Sequence, residues 1–180
     1  MTDLTVDIKQ IELIKTLTEF SSIEIIWDLN AFYFNSEVKT FKLECLADHP
    51  EGSDFKYDEI FYCKFLELND RIKFEDENSK YWYKIISRCC KIIGIKSLNV
   101  FELFPDNKLI PIEDLKKYDH GLNKLTLGLI IETDQGFLPA FLLNSNHGFH
   151  WQPKYEFYTK MEIDKLIAEN IKHFEIKNCA

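Results

Sequence analysis

The sequence predicts one α+β domain spanning residues 1–180, with an antiparallel or mixed sheet of about five to seven strands covered by two or three helices. Its composition is that of a packed core, because 46% of the 180 residues are apolar and fifteen are Phe. A chain of this length buries enough surface to fold without a disulfide or a metal. Strand patterns joined by turns at both ends, without regular strand–helix alternation, argue against a doubly wound parallel sheet.

Three stretches have helical periodicity: residues 3–20, residues 79–93 and residues 160–174. In each of them apolar side chains recur at intervals of three and four, which places them on one face of a helix. Gly94 stands where a C-terminal cap belongs, and Thr159-Lys160-Met161-Glu162 is a capping box. We therefore expect an N-terminal, a central and a C-terminal helix. The central stripe consists of Trp82, Ile85, Ile86, Cys89 and Ile93.

The segments between these helices are typical of strands. Residues 23–34, 38–47, 59–68 and 95–104 are rich in β-branched and aromatic side chains and are bounded by turn-forming residues. Two further apolar segments within residues 125–143 flank Asp134-Gln135-Gly136, and the glycine there suits a tight turn. Both faces of this hairpin are apolar, which predicts a buried, central position in the sheet.

The charge of the chain is unevenly distributed. Residues 1–80 hold 18 acidic and 9 basic side chains, whereas residues 81–180 hold 12 acidic and 13 basic ones. The whole chain has a net charge of −8 and contains only two arginines, Arg71 and Arg88. Phosphate backbones are bound by clustered positive charge, so direct binding of nucleic acid is not expected.

The cysteines and the apolar runs indicate a cytoplasmic protein. The five cysteines are odd in number and lack the spacing of a disulfide framework, so we expect reduced thiols. Apolar runs fall well short of the ~20 residues that a membrane helix requires, and the first residues lack a signal sequence. Membrane association is therefore not predicted, and the oligomeric state stays open.

No cofactor is predicted. The six glycines are isolated, so a phosphate-binding loop of clustered glycines is absent, and no Cys-x-x-Cys pair indicates structural zinc. Cysteine nucleophiles need a neighbouring base or a helix N-terminus. Cys89 and Cys90 fall late in the predicted central helix and Cys45 and Cys63 in apolar strands, which favours roles as small core residues.

His147 and His150 form the sharpest local pattern, within Asn144-Ser145-Asn146-His147-Gly148-Phe149-His150-Trp151. On a helix this spacing would put both imidazoles on one face, but the Gly and Asn residues favour a loop or strand that would separate them. They suggest an alternative function as a small hydrolase-like enzyme that uses a metal ion or a histidine base. The candidates for a third ligand are Asp119, His120 and Glu132.

The leading hypothesis is an acidic module that binds a basic protein. Without a clear catalytic motif, the excess of acidic groups favours an inhibitor or bacterial immunity protein that neutralises a toxin or nuclease by covering its active site. Tyrosines beside acidic surface are a common composition for such an interface. A third hypothesis is an accessory subunit that pairs through the edge of its hairpin. The predicted contact residues are Asp54, Asp58, Glu75, Asp76, Glu77, Tyr81 and Tyr83.

Overall fold

The protein is mostly β and contains two sheets. Its structure, a computed structural model, describes residues 2–28, 31–48, 60–72, 83–103, 108–118, 120–141 and 156–180. The strands are β1 (Thr2–Leu4), β2 (Ile23–Asp28), β3 (Ala31–Asn35), β4 (Thr40–Asp48), β5 (Ile60–Leu68), β6 (Tyr83–Cys90), β7 (Ile92–Leu103), β8 (Lys108–Leu109), β9 (Leu122–Thr133), β10 (Gly136–Phe141) and β11 (Glu175–Asn178). The helices are α1 (Ile8–Thr16) and α2 (Lys160–Asn170), with 3-10 helices at Leu17–Glu19 and Ile112–Lys117.

The predicted α+β class, a single sheet covered by two or three helices, is wrong. A five-stranded sheet has the order β5-β4-β3-β2-β6, and its strands are all antiparallel to their neighbours. A six-stranded sheet has the order β1-β9-β7-β11, with β10 also pairing with β9 and β8 with β7. Only the pairing of β1 with β9 is parallel among these described strands. The two sheets, and not a layer of helices, bury most of the apolar surface.

The main core lies between the two sheets. The four largest fully buried side chains are phenylalanines of the five-stranded sheet: Phe32, Phe34, Phe41 and Phe65. Leu129 and Ile131 of β9 face them from the six-stranded sheet, and Ile14 of α1 joins the same cluster. Burying side chains of this size contributes about 1.5–3 kcal/mol each, so this interface between sheets is the main source of stability.

The predicted central helix at residues 79–93 is also wrong, because its described part forms β6 and the start of β7. β6 pairs with β2 through two register shifts: Ile23 lies opposite Cys90, Ile25 opposite Ser87 and Ile26 opposite Ile85. Each shift adds a residue to β6, as in a β-bulge, and lengthens the strict two-residue alternation of a strand. A bulged strand thus produces the three- and four-residue apolar spacing that resembles a helix.

Other predicted elements are confirmed or shortened. The hairpin around Asp134-Gln135-Gly136 is confirmed as β9 and β10, and β9 is central in its sheet. α2 begins at the predicted capping box, since the Thr159 side chain accepts from the Glu162 backbone N–H and the Glu162 side chain bonds back to Thr159. The first helix is shorter than 3–20, and residues 23–34 contain two paired strands, β2 and β3.

The turn of this hairpin holds the point where the chain passes from one sheet to the other. Lys91 links β6 to β7, and its backbone N–H donates to Asp134 Oδ1 at 2.9 Å while its carbonyl accepts from the Asp134 N–H at 3.0 Å. The Gln135 side chain donates to the Cys89 carbonyl and accepts from Ser87 Oγ. The turn therefore fixes the relative positions of the strands on both sides of the crossing.

We expect Gly136→Ala to lower the free energy of unfolding by about 2–3 kcal/mol. Gly136 has φ of +134°, where a side chain is strained, and an added Cβ would lie 2.8 Å from the Tyr158 carbonyl oxygen. That carbonyl accepts the Phe137 N–H at 2.9 Å, so the clash would break this pairing. Urea denaturation measures the loss. Gly94→Ala is the control, since its Cβ would make ordinary contacts at 3.6 Å, and equal losses in both variants would contradict the prediction.

Candidate functional site

Most of the sequence-predicted site residues lie outside the described residues. These are Asp54, Asp58, Glu75, Asp76, Glu77 and Tyr81 of the predicted interface, together with His147, His150 and Asp119. Tyr83 is described: it is the first residue of β6 and is half-buried. His120 is exposed and Glu132 is half-buried on β9. Within the described ranges, no three His, Cys, Asp or Glu side chains are grouped closely enough to hold a metal ion.

Tyr83 lies on the face of the five-stranded sheet that points away from the core. It is paired with Asp28 on β2, Asp28 with Ala31, Ala31 with Glu44, and Glu44 with Lys64. Directly paired residues share a face of a sheet, so Tyr83, Asp28, Glu44 and Lys64 form one row across its strands. We refer to this surface as the outer face of the five-stranded sheet.

Charged and aromatic groups in the next row are coupled to one another. Lys42 Nζ lies 2.5 Å from Glu44 Oε2 and 5.8 Å from the centre of the Tyr33 ring. Burial by itself would lower the pKa of Lys42, but the hydrogen bond to Glu44 and the nearby Tyr33 and Asp28 raise it above its ordinary value. Burial raises the pKa of the Tyr33 hydroxyl. Lys42 is therefore charged and Tyr33 neutral at physiological pH.

A polar network fixes the far end of this face. The Asn35 side-chain amide donates to Glu24 Oε2 and to the Ile72 carbonyl, both at 3.0 Å. Thr40 Oγ1 donates to Asn35 Oδ1 at 2.6 Å and accepts the Ile72 backbone N–H at 3.0 Å. Asn35 and Thr40 are almost fully buried, and these bonds satisfy their polar groups. The chain that follows β5 is thus attached at the end of the sheet opposite Tyr83.

The opposite end of the sheet is where its acidic connections meet. β2 ends at Asp28 and β3 begins at Ala31, β4 ends at Asp48 and β5 begins at Ile60, and β6 begins at Tyr83. The pairings place all five positions at one end. Residues 49–59 join two of these strands and hold four acidic side chains against one lysine. Residues 73–82, which include Glu75, Asp76 and Glu77, lead into Tyr83.

The described charges on this face largely neutralise one another. Lys42 is paired with Glu44, and Arg88 Nη1 lies 3.7 Å from Glu24 Oε1. Lys39 Nζ lies 2.7 Å from Glu67 Oε1 near the end of the sheet that carries Thr40. The acidic excess of residues 1–80 is consequently greatest in the connections and not on the strands.

The cysteines do not form a catalytic site among the described residues. Cys63, Cys90 and Cys179 are buried, as the prediction of small core residues requires for the first two. Burial raises the pKa of the Cys90 thiol to about 11, so it is protonated and unreactive at neutral pH. Cys89 is exposed at the end of β6, which corrects its predicted place in a core.

Sequence reasoning missed the coupled Tyr33, Lys42 and Glu44. The alternation along β3 and β4 carried a usable signal, because Tyr33 and Lys42 are polar positions between buried phenylalanines. Their cross-strand pairing depends on the register of β3 and β4, which alternation alone does not fix. The predicted edge of the hairpin is partly paired within the chain, where Phe137 of β10 forms a bridge with Tyr158.

Comparison of the chain with family models, curated proteins and solved structures finds no match in any of the three. Among the described residues, none of the helices has the length and apolar character needed to cross a membrane.

Proposed function

We propose that this chain is a protein-binding module that inhibits a basic partner, as an immunity protein inhibits a toxin or nuclease. The contact surface is the end of the five-stranded sheet that carries Asp28, Asp48 and Tyr83. The observation that supports it is the meeting of the acidic connections at this one end. Strands fix the ends of those connections, so their charges are presented together and not around the whole protein.

Electrostatic attraction is the first part of the proposed mechanism. Clustered carboxylates raise the association rate with a basic surface and disfavour acidic partners, and salt weakens both effects. Asp54 and Asp58 belong to one connection, and Glu75, Asp76 and Glu77 to the other. On the sheet itself Lys42 is already paired with Glu44, so it does not offset the charge of the connections.

Tyrosine contacts are the second part. Buried aromatic side chains contribute a large share of the affinity at protein interfaces, with charged groups at the rim. Tyr83 starts β6 beside Asp28 and is half-buried, so its backbone position is fixed while part of its surface is accessible. Tyr81 lies two residues before it in the sequence. Inhibition then requires only that the complex covers the partner's active site.

The test is a triple variant, Glu75→Gln, Asp76→Asn and Glu77→Gln. The partner is first isolated from lysate of the source cells with the tagged full chain and identified, and it is expected to be basic. The variant should then bind this purified partner at least about tenfold more weakly at low salt, with most of the loss in the association rate. Surface plasmon resonance at several salt concentrations measures both rates.

The matched control is Glu113→Gln, Asp164→Asn and Glu169→Gln, which removes the same number of acidic charges from the Ile112–Lys117 3-10 helix and from α2. It should bind within about twofold of the unmodified chain, because long-range attraction is screened over about a Debye length. An equal loss in both variants would reduce the effect to net charge. An acidic partner, or affinity that does not change with salt, would contradict the proposal.

A further inference from the structure

A cavity lies between α2 and the face of the six-stranded sheet that points away from the main core. Its volume is about 260 Å³, and its wall is formed by sheet residues on one side and one face of α2 on the other. It is separate from the proposed protein-binding end of the five-stranded sheet. The lining residues that carry the argument are Gly94, Lys96, Ile130, Glu132, Phe137 and Ile163.

The inner part of the cavity is apolar. Ile130 of β9 and Ile163 of α2 are only 4% and 2% exposed and belong to one cluster, and Phe137 and Ile167 pack against it. Ile163 and Ile167 are four residues apart, so they share the face of α2 that lies over the sheet. Such a surface favours the apolar part of a ligand, at about 25 cal/mol for each Å² removed from water.

Two of the four charged groups at the rim neutralise each other. Lys160 Nζ lies 2.5 Å from Asp164 Oδ1 and 5.7 Å from the centre of the Phe137 ring. The other two, Glu132 and Lys96, form no ion pair with any residue in the described parts of the chain. A carboxylate and an ammonium group are therefore both available at the cavity.

Strand pairing places these two groups close together. Glu132 pairs with Gly94 and Lys96 pairs with Ile130, so Glu132 and Lys96 are diagonal neighbours on β9 and β7. Diagonal neighbours on one face have Cα atoms about 7–8 Å apart. That separation suits contacts to the two oppositely charged groups of one small molecule.

Gly94 keeps the cavity open beside Glu132. A Cβ at Gly94 would lie 3.6 Å from Glu132 Oε2 and 3.6 Å from the Ala180 carbonyl oxygen, which are ordinary contacts. Any longer side chain would extend into the space next to the carboxylate. Only Gly121 and Gly136 have positive φ among the described glycines, so the backbone at Gly94 accepts other residues.

We propose that this cavity binds a small apolar zwitterion of the α-amino acid class. The ligand ammonium contacts Glu132, its carboxylate contacts Lys96, and its apolar side chain packs on Ile130, Ile163 and Phe137. The size agrees with this class, since pockets for drug-sized ligands have about 300–1,000 Å³ and this cavity is smaller. The formal charges of the lining sum to zero, which favours a ligand without net charge.

The experiment is isothermal titration of the full chain with L-leucine, and with isoamylamine and 4-methylpentanoate as analogues that lack one charge each. L-leucine should bind, and each analogue should bind at least about tenfold more weakly, which is the loss expected for one charge-assisted hydrogen bond. Glu132→Gln and Lys96→Gln should weaken L-leucine binding by a similar factor. Gly94→Val should abolish it by filling the cavity.

Lys165→Gln and Glu169→Gln are the controls, because both side chains are exposed on α2 and neither lines the cavity. They should leave L-leucine binding unchanged, and thermal unfolding of each variant shows that it is folded. Failure of the unmodified chain to bind L-leucine at millimolar concentration would overturn the proposal. So would analogues that bind as tightly as L-leucine, or a folded Gly94→Val variant that retains binding.

Discussion

Phe65→Ala is expected to lower the free energy of unfolding by about 3–5 kcal/mol. Phe65 is fully buried at the centre of the main core, and its ring stacks on that of Phe41 with centroids 5.8 Å apart. Phe34 is its second ring neighbour, at 6.1 Å. Truncation removes these contacts and leaves a cavity that strands on both sides hold open, so the cost exceeds the transfer energy of the ring.

Urea denaturation at equilibrium measures this effect, provided that the slope of the transition is unchanged. Val38→Ala is the control, because Val38 is an apolar residue with 69% of its surface exposed. Its free energy of unfolding should change by no more than about 0.5 kcal/mol. A loss below about 1 kcal/mol for Phe65→Ala would mean that the two sheets do not depend on this cluster of rings for their packing.

Elements with a strong local signal were predicted correctly from the sequence. Asp134-Gln135-Gly136 marks a turn that only a few residue types can form, and the structure has β9 and β10 on its two sides. The Thr159 and Glu162 side chains satisfy backbone groups at the start of α2, so the beginning of that helix is determined within four residues. In both cases the chemistry that fixes the element is local.

The two-sheet arrangement depends on contacts that are distant in the sequence. Sequence reasoning assigned the segment around Ile85 and Ile86 to a helix because two bulges disturb the alternation of β6. Those bulges arise from pairing with β2, about sixty residues earlier, which periodicity does not report. With the central helix replaced by a strand, the chain gains the pairing partner that completes a second sheet.

The candidate site was predictable in charge but not in geometry. The acidic excess of residues 1–80 is visible in the composition, and it suggested the binding of a basic protein. Its concentration at one end of the five-stranded sheet follows from strand pairing, which brings Asp28, Asp48 and Tyr83 together. The cavity beneath α2 had no sequence signal, since Glu132 and Lys96 become neighbours only through the register of β9 and β7.

Glu102 of β7 should make the protein less stable as the pH rises. The residue is only 1% exposed, with Asn123 and Leu109 opposite it on the neighbouring strands. Burial raises the pKa of its carboxyl from the ordinary value of 4.5 to about 7. The folded protein then binds the proton more tightly than the unfolded chain, so its stability is greatest below pH 4.5 and falls until the pH exceeds 7.

We expect Glu102→Gln to unfold with a free energy about 2–3 kcal/mol more favourable to the folded state than the unmodified chain at about pH 8. The neutral amide has nearly the shape of the protonated carboxyl and carries no charge to bury. At about pH 4 the two proteins should differ by less than about 1 kcal/mol. Urea denaturation at a series of pH values measures the difference, with the exposed Glu113→Gln as the control.

The difference between the two proteins is more informative than the pH profile of either one. Burial lowers the pKa of His173 below 6.5, so this side chain costs stability as the pH falls and opposes Glu102 in the same pH range. The lowered pKa of Glu175, held by Lys124, removes stability only as the pH falls below 4.5. Both contributions are common to the two proteins and cancel in the difference. A difference that does not change between pH 4 and pH 8 would therefore mean that Glu102 is ionised in the folded protein at a pH close to its ordinary 4.5.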